Sequence, residues 1–139
     1  DSSTSRGLGD VYKRQVRKDS NQRLSRIVIH GDTVYVAGVT SSAAGGITEQ
    51  TRDALAKIDG YLAKADTDKT RLLSVQIWLK DIDRDFAGMN AVWAEWAPAN
   101  ALPTRATCEA KLASPDLLVE IIVTAAKRPG YVGGPVSEA

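Results

Sequence analysis

Two charged side chains stand within otherwise strand-like segments near the end of the sequence. Arg105 follows a proline at the start of one predicted strand, and Glu120 interrupts the apolar run 117–123 of the next. A guanidinium can grip a carboxylate through two parallel hydrogen bonds, and a carboxylate can orient or deprotonate a water. The pair therefore favours a small site for an anionic ligand. The residues alone leave another interpretation open, in which both charges lie on solvated sheet faces or neutralise each other across strands.

Other residues with chemical potential give more ordinary predictions. Cys108 alternates with apolar neighbours on its strand, which predicts a buried thiol and not a nucleophile. His30 borders a turn, where we expect a surface imidazole. Trp93 and Trp96 share an apolar helix stripe and are expected in the core, not as base-stacking surfaces. The acidic segment 81–85 precedes a helix, which predicts a solvated turn with an N-cap and no metal site.

The composition excludes several classes of protein. The chain has 139 residues, of which 43% are hydrophobic and 25% charged, as expected for one globular domain. A net charge of +1 gives no field that would attract nucleic acid or an anionic membrane. One cysteine and one histidine exclude an internal disulfide and a paired-histidine metal site. Because neither a membrane-length apolar stretch nor a signal-peptide pattern is visible, we expect a cytoplasmic protein.

Apolar periodicity predicts the order ββαβαββ. Residues 25–30 and 33–39 should form a hairpin, since Gly31-Asp32 suits a type II′ turn. A helix capped by Thr48 is predicted over 47–65, and a strand over 71–81 should bury Leu73, Val75, Ile77 and Leu79. A second helix is predicted over about 84–97, with an apolar face made of Phe86, Met89, Val92, Trp93 and Trp96. Two further strands are predicted over 104–112 and 117–126. Two amphipathic helices covering one sheet face predict an α+β fold. The other face needs a cover, for which we expect oligomerisation.

Both ends of the chain are expected to lie outside the folded domain. Residues 1–20 are predicted as a non-core N-terminal extension, whose first part has the character of a cloning or sequence-assembly scar. The domain should span 21–127. Residues 128–139 contain two prolines and three glycines, which predicts a flexible tail.

Five segments follow one another at a characteristic spacing. They are VIHGDTVYVAGVT (28–40), EQTRDALAKIDGYLAKA (49–65), SVQIWLKDIDRDFAGMNAVWAEW (74–96), PTRATCEA (103–110) and VEIIVTAA (119–126). Together they resemble the Rid proteins, the reactive intermediate (enamine/imine) deaminases that are also called the YjgF family. The resemblance covers about residues 21–127. It implies a chorismate-mutase-like mixed β-sheet packed by two helices, assembled as a homotrimer with clefts between its subunits.

The resemblance also implies an activity and a set of site residues. Family members of known activity hydrolyse small 2-imino and 2-enamino acids to 2-keto acids and ammonia, without a metal or another cofactor. Arg105, in the Pro-x-Arg motif, matches the arginine that binds the substrate carboxylate, and Glu120 matches the water-orienting glutamate. Asn90 matches a helical asparagine of the family. Thr107 stands where a cysteine is frequent, and Ala37 replaces a hydroxyl-bearing residue beside the substrate.

Two further departures keep other functions open. The tyrosine of the family's N-terminal motif has no counterpart near Leu24 and Ser25, and Val39 replaces an amide side chain. These losses favour, as an alternative, a regulatory trimer that binds a small carboxylate without turnover. Ribonuclease activity or translation inhibition has been ascribed to relatives. The near-neutral charge and the single histidine argue against it here.

Overall fold

Residues 15–128 of the computed structural model form a six-stranded mixed sheet with two helices on one of its faces. The elements are β1 Gln15–Ser20, β2 Ser25–His30, β3 Thr33–Val39, α1 Ile47–Lys64, a 3-10 turn Lys69–Arg71, β4 Leu72–Leu79, α2 Ile82–Trp96, β5 Thr104–Glu109 and β6 Val119–Ala126. The strand order is β1-β2-β3-β6-β4-β5, and only β4 and β5 run parallel. The predicted α+β class is confirmed, as is the order of the predicted elements.

The first strand was not predicted. Residues 15–20, assigned from sequence to the extension, form β1 and pair antiparallel with β2. The segment QVRKDS contains one apolar residue, so its periodicity gives no strand signal, and pairing with the β2 edge stabilises it instead. The β2–β3 hairpin is confirmed, and Gly31 has the positive φ of 62° that the first position of a type II′ turn requires. The predictions for residues 1–14 and 129–139 lie outside the described residues.

The helix ends are capped by local hydrogen bonds. The prediction that Thr48 caps α1 is wrong, because the N-cap is Gly46 and Thr48 lies within the first turn. The Glu49 carboxylate accepts a hydrogen bond from the Gly46 N–H at 2.9 Å, and this bond lowers the pKa of Glu49. At the start of α2 the Asp81 carboxylate accepts from the Arg84 N–H at 3.1 Å. The predicted N-cap in segment 81–85 is therefore confirmed.

The apolar core lies between the helices and the sheet. Its largest fully buried members are Ile27, Leu55, Ile58, Leu62, Ile77, Leu79, Met89 and Ile121. Two predicted core residues are exposed instead, Leu73 by 50% and Phe86 by 42%. Leu73 turns outward because the pairing of β4 with β6 shifts register between Leu72 and Ser74. Phe86 lies at the flank of the buried helix face. No helix within residues 15–128 is long and apolar enough to cross a membrane.

Replacing Thr51 with valine is expected to stabilise the fold. Thr51 is fully buried on α1, and its hydroxyl has no hydrogen-bond partner among the described residues. Valine keeps the shape and removes the desolvated hydroxyl, so we expect the free energy of unfolding to rise by about 1 kcal/mol. Urea denaturation of Thr51→Val, with Thr48→Val as a control at a half-buried position of the same helix, measures this. A Thr51→Val protein less stable than wild type would contradict the expectation.

Candidate active site

Arg105 lies on β5, which among residues 15–128 is an edge strand that pairs only with β4. The two strands are parallel because α2 carries the chain back across the sheet between them. Arg105 stands opposite Val75, and Thr107 stands opposite Ile77. Residues in register share a face of the sheet, and both β4 partners are buried in the core. The Arg105 and Thr107 side chains therefore lie on the face that the helices cover.

The Arg105 guanidinium is half-buried against an aromatic ring. Its Cζ lies 5.5 Å from the centroid of the Trp93 ring on α2, a cation–π distance. Within residues 15–128 it makes neither an ion pair nor a side-chain hydrogen bond. Burial lowers the pKa of Arg105, because desolvation disfavours the charged form. A partly desolvated cation with free N–H donors is suited to receive an anion.

Polar groups beside Arg105 also lack partners. The Thr107 hydroxyl oxygen is buried and has no hydrogen-bond partner in the described part of the chain. Asn90 is half-buried on α2, one turn before Trp93 and on the same side of the helix. The structure thus brings Arg105 and Thr107 together on β5, with Asn90 on the helix that flanks them.

Glu120 lies on the other face of the sheet. It stands opposite Trp78 of β4, which in turn stands opposite Cys108 of β5. This face is not covered by the helices, and β4 separates the strands that carry Glu120 and Arg105. The interpretation in which the two charges neutralise each other across strands is therefore wrong. Within one chain their side chains point to opposite faces, so they do not form the two ends of a single cleft.

A bulge in β3 provides the space that the Glu120 carboxylate occupies. The pairing of β3 with β6 shifts register between Val36 and Val39, at Ala37 and Gly38. A Cβ at position 38 would overlap Glu120 Oε2 and lie 3.0 Å from Cδ, so only glycine leaves room for this rotamer. Ala37, the last predicted site residue, is therefore close to Glu120 in the fold. Gly38 was missed, although a glycine inside a strand is itself a sign of close approach.

The structure also tests the burial that the sequence predicted for Cys108, His30 and the two tryptophans of α2. Cys108 is exposed, so its predicted place in the core is wrong, because the face that it shares with Trp78 is the uncovered one. His30 is exposed, as predicted. Trp93 and Trp96 are half-buried and pack against the core. A cleft of about 530 Å³ lies between the loops 41–45 and 114–118, and neither Arg105 nor Glu120 lines it.

Known proteins match the chain over nearly all of its described part. The family described as endoribonuclease L-PSP matches residues 15–127. RutC family proteins of Haemophilus ducreyi and Escherichia coli (YoaB) are each 40% identical over 111 residues, covering 79% and 80% of this chain and 94% and 96% of theirs. A member of the YjgF protein family from Neisseria meningitidis superimposes with a TM-score of 0.81 at 37% identity, covering 84% of this chain and 97% of its own.

A second solved member, from Mycobacterium tuberculosis, has a TM-score of 0.72 at 33% identity and covers 81% of this chain and 97% of its own. The likeness therefore extends over sequence, element order and three-dimensional structure. The resemblance of the five segments is confirmed, and the mixed sheet with two helices is the YjgF-like fold. The chain belongs to the YjgF/RutC/Rid family.

Proposed function

We propose that this protein is a metal-free imine/enamine deaminase that hydrolyses small 2-imino acids to 2-keto acids and ammonia. The observation that carries the proposal is the half-buried Arg105 guanidinium, which has no counter-ion among residues 15–128. It stands in the Pro-Thr-Arg segment of a chain that belongs to the Rid family. A fixed guanidinium with free donors suits the carboxylate that every 2-imino acid carries.

The reaction requires little from the protein beyond positioning. Arg105 would bind the substrate carboxylate, and backbone groups beside Arg105 and Thr107 would hold the imine nitrogen. Glu120 would orient a water and accept its proton as the oxygen attacks C2, giving a tetrahedral carbinolamine. Starting from the protonated imine, return of that proton to nitrogen breaks the C2–N bond and releases ammonia, while the carbinolamine hydroxyl gives its proton to the Glu120 carboxylate and becomes the carbonyl of the 2-keto acid. Asn90 and Ala37 are proposed to line the site and contact the bound substrate.

The positions of Arg105 and Glu120 on opposite faces of the sheet support a site shared between subunits. Since Arg105 and Glu120 lie on opposite faces of one sheet, a cleft that contains both needs Glu120 from a neighbouring copy. The uncovered face that such a copy would bury carries partly apolar side chains, among them Tyr35, Trp78 and Ile122, and Tyr35 is 47% exposed. We propose the homotrimer implied by the resemblance, with three equivalent clefts.

Hydrolysis of 2-iminopropionate and 2-iminobutyrate tests the proposal directly. An amino-acid oxidase generates each imine in situ, and semicarbazide traps what remains. The expected result is faster loss of imine with the protein than with buffer, from a species that light scattering identifies as a trimer. No acceleration by a folded trimer would refute the deaminase, and a folded, active monomer would refute the shared cleft.

Gly38→Ala is expected to impair hydrolysis although position 38 bears no reactive group. The added Cβ would overlap Glu120 Oε2 and force the carboxylate out of the bulge. We expect kcat to fall by about 10²-fold, the lower end of what a lost general base costs. Gly60→Ala is the matched control, because a Cβ on Gly60 of α1 has open space and should leave kcat unchanged. A Gly38→Ala protein with wild-type kcat would show that the Glu120 position is unimportant.

A second candidate is a regulatory protein that binds a small carboxylate without turnover. It is favoured by Glu120, whose carboxylate makes no ion pair and no side-chain hydrogen bond within residues 15–128, so that only the bulge fixes it. Binding of 2-oxobutanoate by isothermal titration, together with no imine hydrolysis, would establish this candidate.

A further inference from the structure

We propose that Trp93 is a positioning residue that holds the Arg105 guanidinium ready for a carboxylate. This inference rests on the proposed function, since it assigns Trp93 a part in substrate binding. It concerns the support of the arginine and not the chemistry at C2.

An aromatic ring and a carboxylate would hold the Arg105 guanidinium in different ways. Among the described residues the Trp93 ring is the aromatic group that lies against the guanidinium, with Cζ 5.5 Å from the ring centroid. A carboxylate in that place would occupy some of the five N–H donors of the arginine. A ring face attracts the cation without occupying a donor. Trp93 therefore fixes the guanidinium and leaves its hydrogen-bonding edge free for a ligand.

Trp93 is itself held by its neighbours. Its ring lies 5.6 Å from that of Trp96, at an interplanar angle of 47°. The Trp96 Nε1–H donates a hydrogen bond to Asp59 Oδ2 of α1 at 3.0 Å, and Lys69 Nζ lies 5.1 Å from the centroid of the same ring. These contacts tie the Trp96 ring to α1 and to the turn before β4. The orientation of Trp93 is thereby set by the packing of the two helices.

Removing the ring should weaken carboxylate binding more than it slows the chemical step. Without Trp93 the arginine side chain gains freedom that a bound ligand must then remove. We expect Trp93→Leu to weaken 2-oxobutanoate binding and to raise the KM for 2-iminobutyrate by about 3- to 30-fold. The kcat should stay within about twofold, because Glu120, which is proposed to orient the attacking water, is unchanged. Trp93→Phe keeps a ring face and should recover most of the loss.

The experiment compares isothermal titration of 2-oxobutanoate with steady-state hydrolysis for Trp93→Leu, Trp93→Phe and Val92→Ala. Val92 is buried beside Trp93 on α2, so Val92→Ala weakens helix packing while keeping the ring, and its KM should equal that of wild type. If Trp93→Leu does not fold, Trp93→Met replaces it, since methionine fills volume without a ring. An unchanged KM in the ring-less variant, or an equal rise in Val92→Ala, would overturn the positioning role.

Arg105→Ala, measured alongside, distinguishes this failure from failure of the proposed function. If Arg105→Ala abolishes binding while Trp93→Leu binds like wild type, the arginine site stands and only the role of Trp93 is lost. If Arg105→Ala binds 2-oxobutanoate as tightly as wild type, or if wild type binds none, the proposed site is wrong and the inference about Trp93 fails with it.

Discussion

Arg105→Ala is expected to reduce kcat/KM for 2-iminobutyrate by roughly 10²–10³-fold. The variant removes the guanidinium proposed to pair with the substrate carboxylate by two hydrogen bonds, and truncating one partner of a buried charge pair costs about 2–5 kcal/mol. The fold should survive, because the guanidinium makes no ion pair within residues 15–128 that its loss would break. Initial rates over a range of imine concentrations, with thermal denaturation as a check, measure both effects.

Two companion variants sharpen this result. Arg52→Ala is the matched control, since Arg52 is exposed and pairs only with the exposed Glu95 at 3.5 Å among the described residues. It should keep wild-type kcat/KM. Arg105→Lys retains the charge but not the planar fork, so it should recover only part of the activity. Full activity in Arg105→Ala would remove the basis of the proposed mechanism.

Glu120→Gln is expected to lower kcat by about 10²–10⁴-fold with little change in KM, because the amide cannot accept the proton of the attacking water. Mixing this variant with Arg105→Ala should then restore activity that neither has alone. Their side chains lie on opposite faces of the sheet, so a cleft with one intact residue from each chain can form in a mixed oligomer. In each mixed trimer one of the three clefts has both residues intact, so purified mixed oligomers should have about a third of wild-type activity per chain.

Co-expression with two different affinity tags and tandem purification yields the mixed oligomers for this measurement. Glu109→Gln is a useful control, because Glu109 caps the start of α2 by accepting from the Ile82 N–H at 3.1 Å and does not share the face of Glu120. It should retain kcat. Mixed oligomers as inactive as their parents would mean that both residues act within one chain, contrary to the geometry of the sheet.

Local patterns were sufficient for the order of the two helices and of β2 to β6, and for the alternation along β5. Arg105 and Thr107 share a face of β5, and Cys108 lies on the other, as alternation requires. Which face the helices cover could not be predicted from β5 itself, because small and polar residues occur on both faces. That choice depends on pairing with β4 and on the path of α2. For this reason Cys108 was misplaced while its position in the alternation was right.

The residues of the proposed site could be named from the sequence, but their relative geometry could not. Arg105 and Glu120 were identified from their types and from the family resemblance. Their opposite orientation follows from the strand order β6-β4-β5, which no local pattern encodes. Gly38 and Trp93 were not assigned to the site because each acts through a neighbour distant in sequence, the Glu120 carboxylate in one case and the Arg105 guanidinium in the other.

Arg105 lies on β5, which has fewer strand partners and fewer buried residues than β6. In the described part of the chain β4 is the only strand that pairs with β5, and each of the six β5 residues is at least partly exposed. Along β6, in contrast, every second residue is buried. Elements with few buried contacts open locally at low free-energy cost. Amide exchange in β5 should therefore be faster than in β6, and a bound carboxylate should slow it. Release of the product would then coincide with transient detachment of β5 from β4.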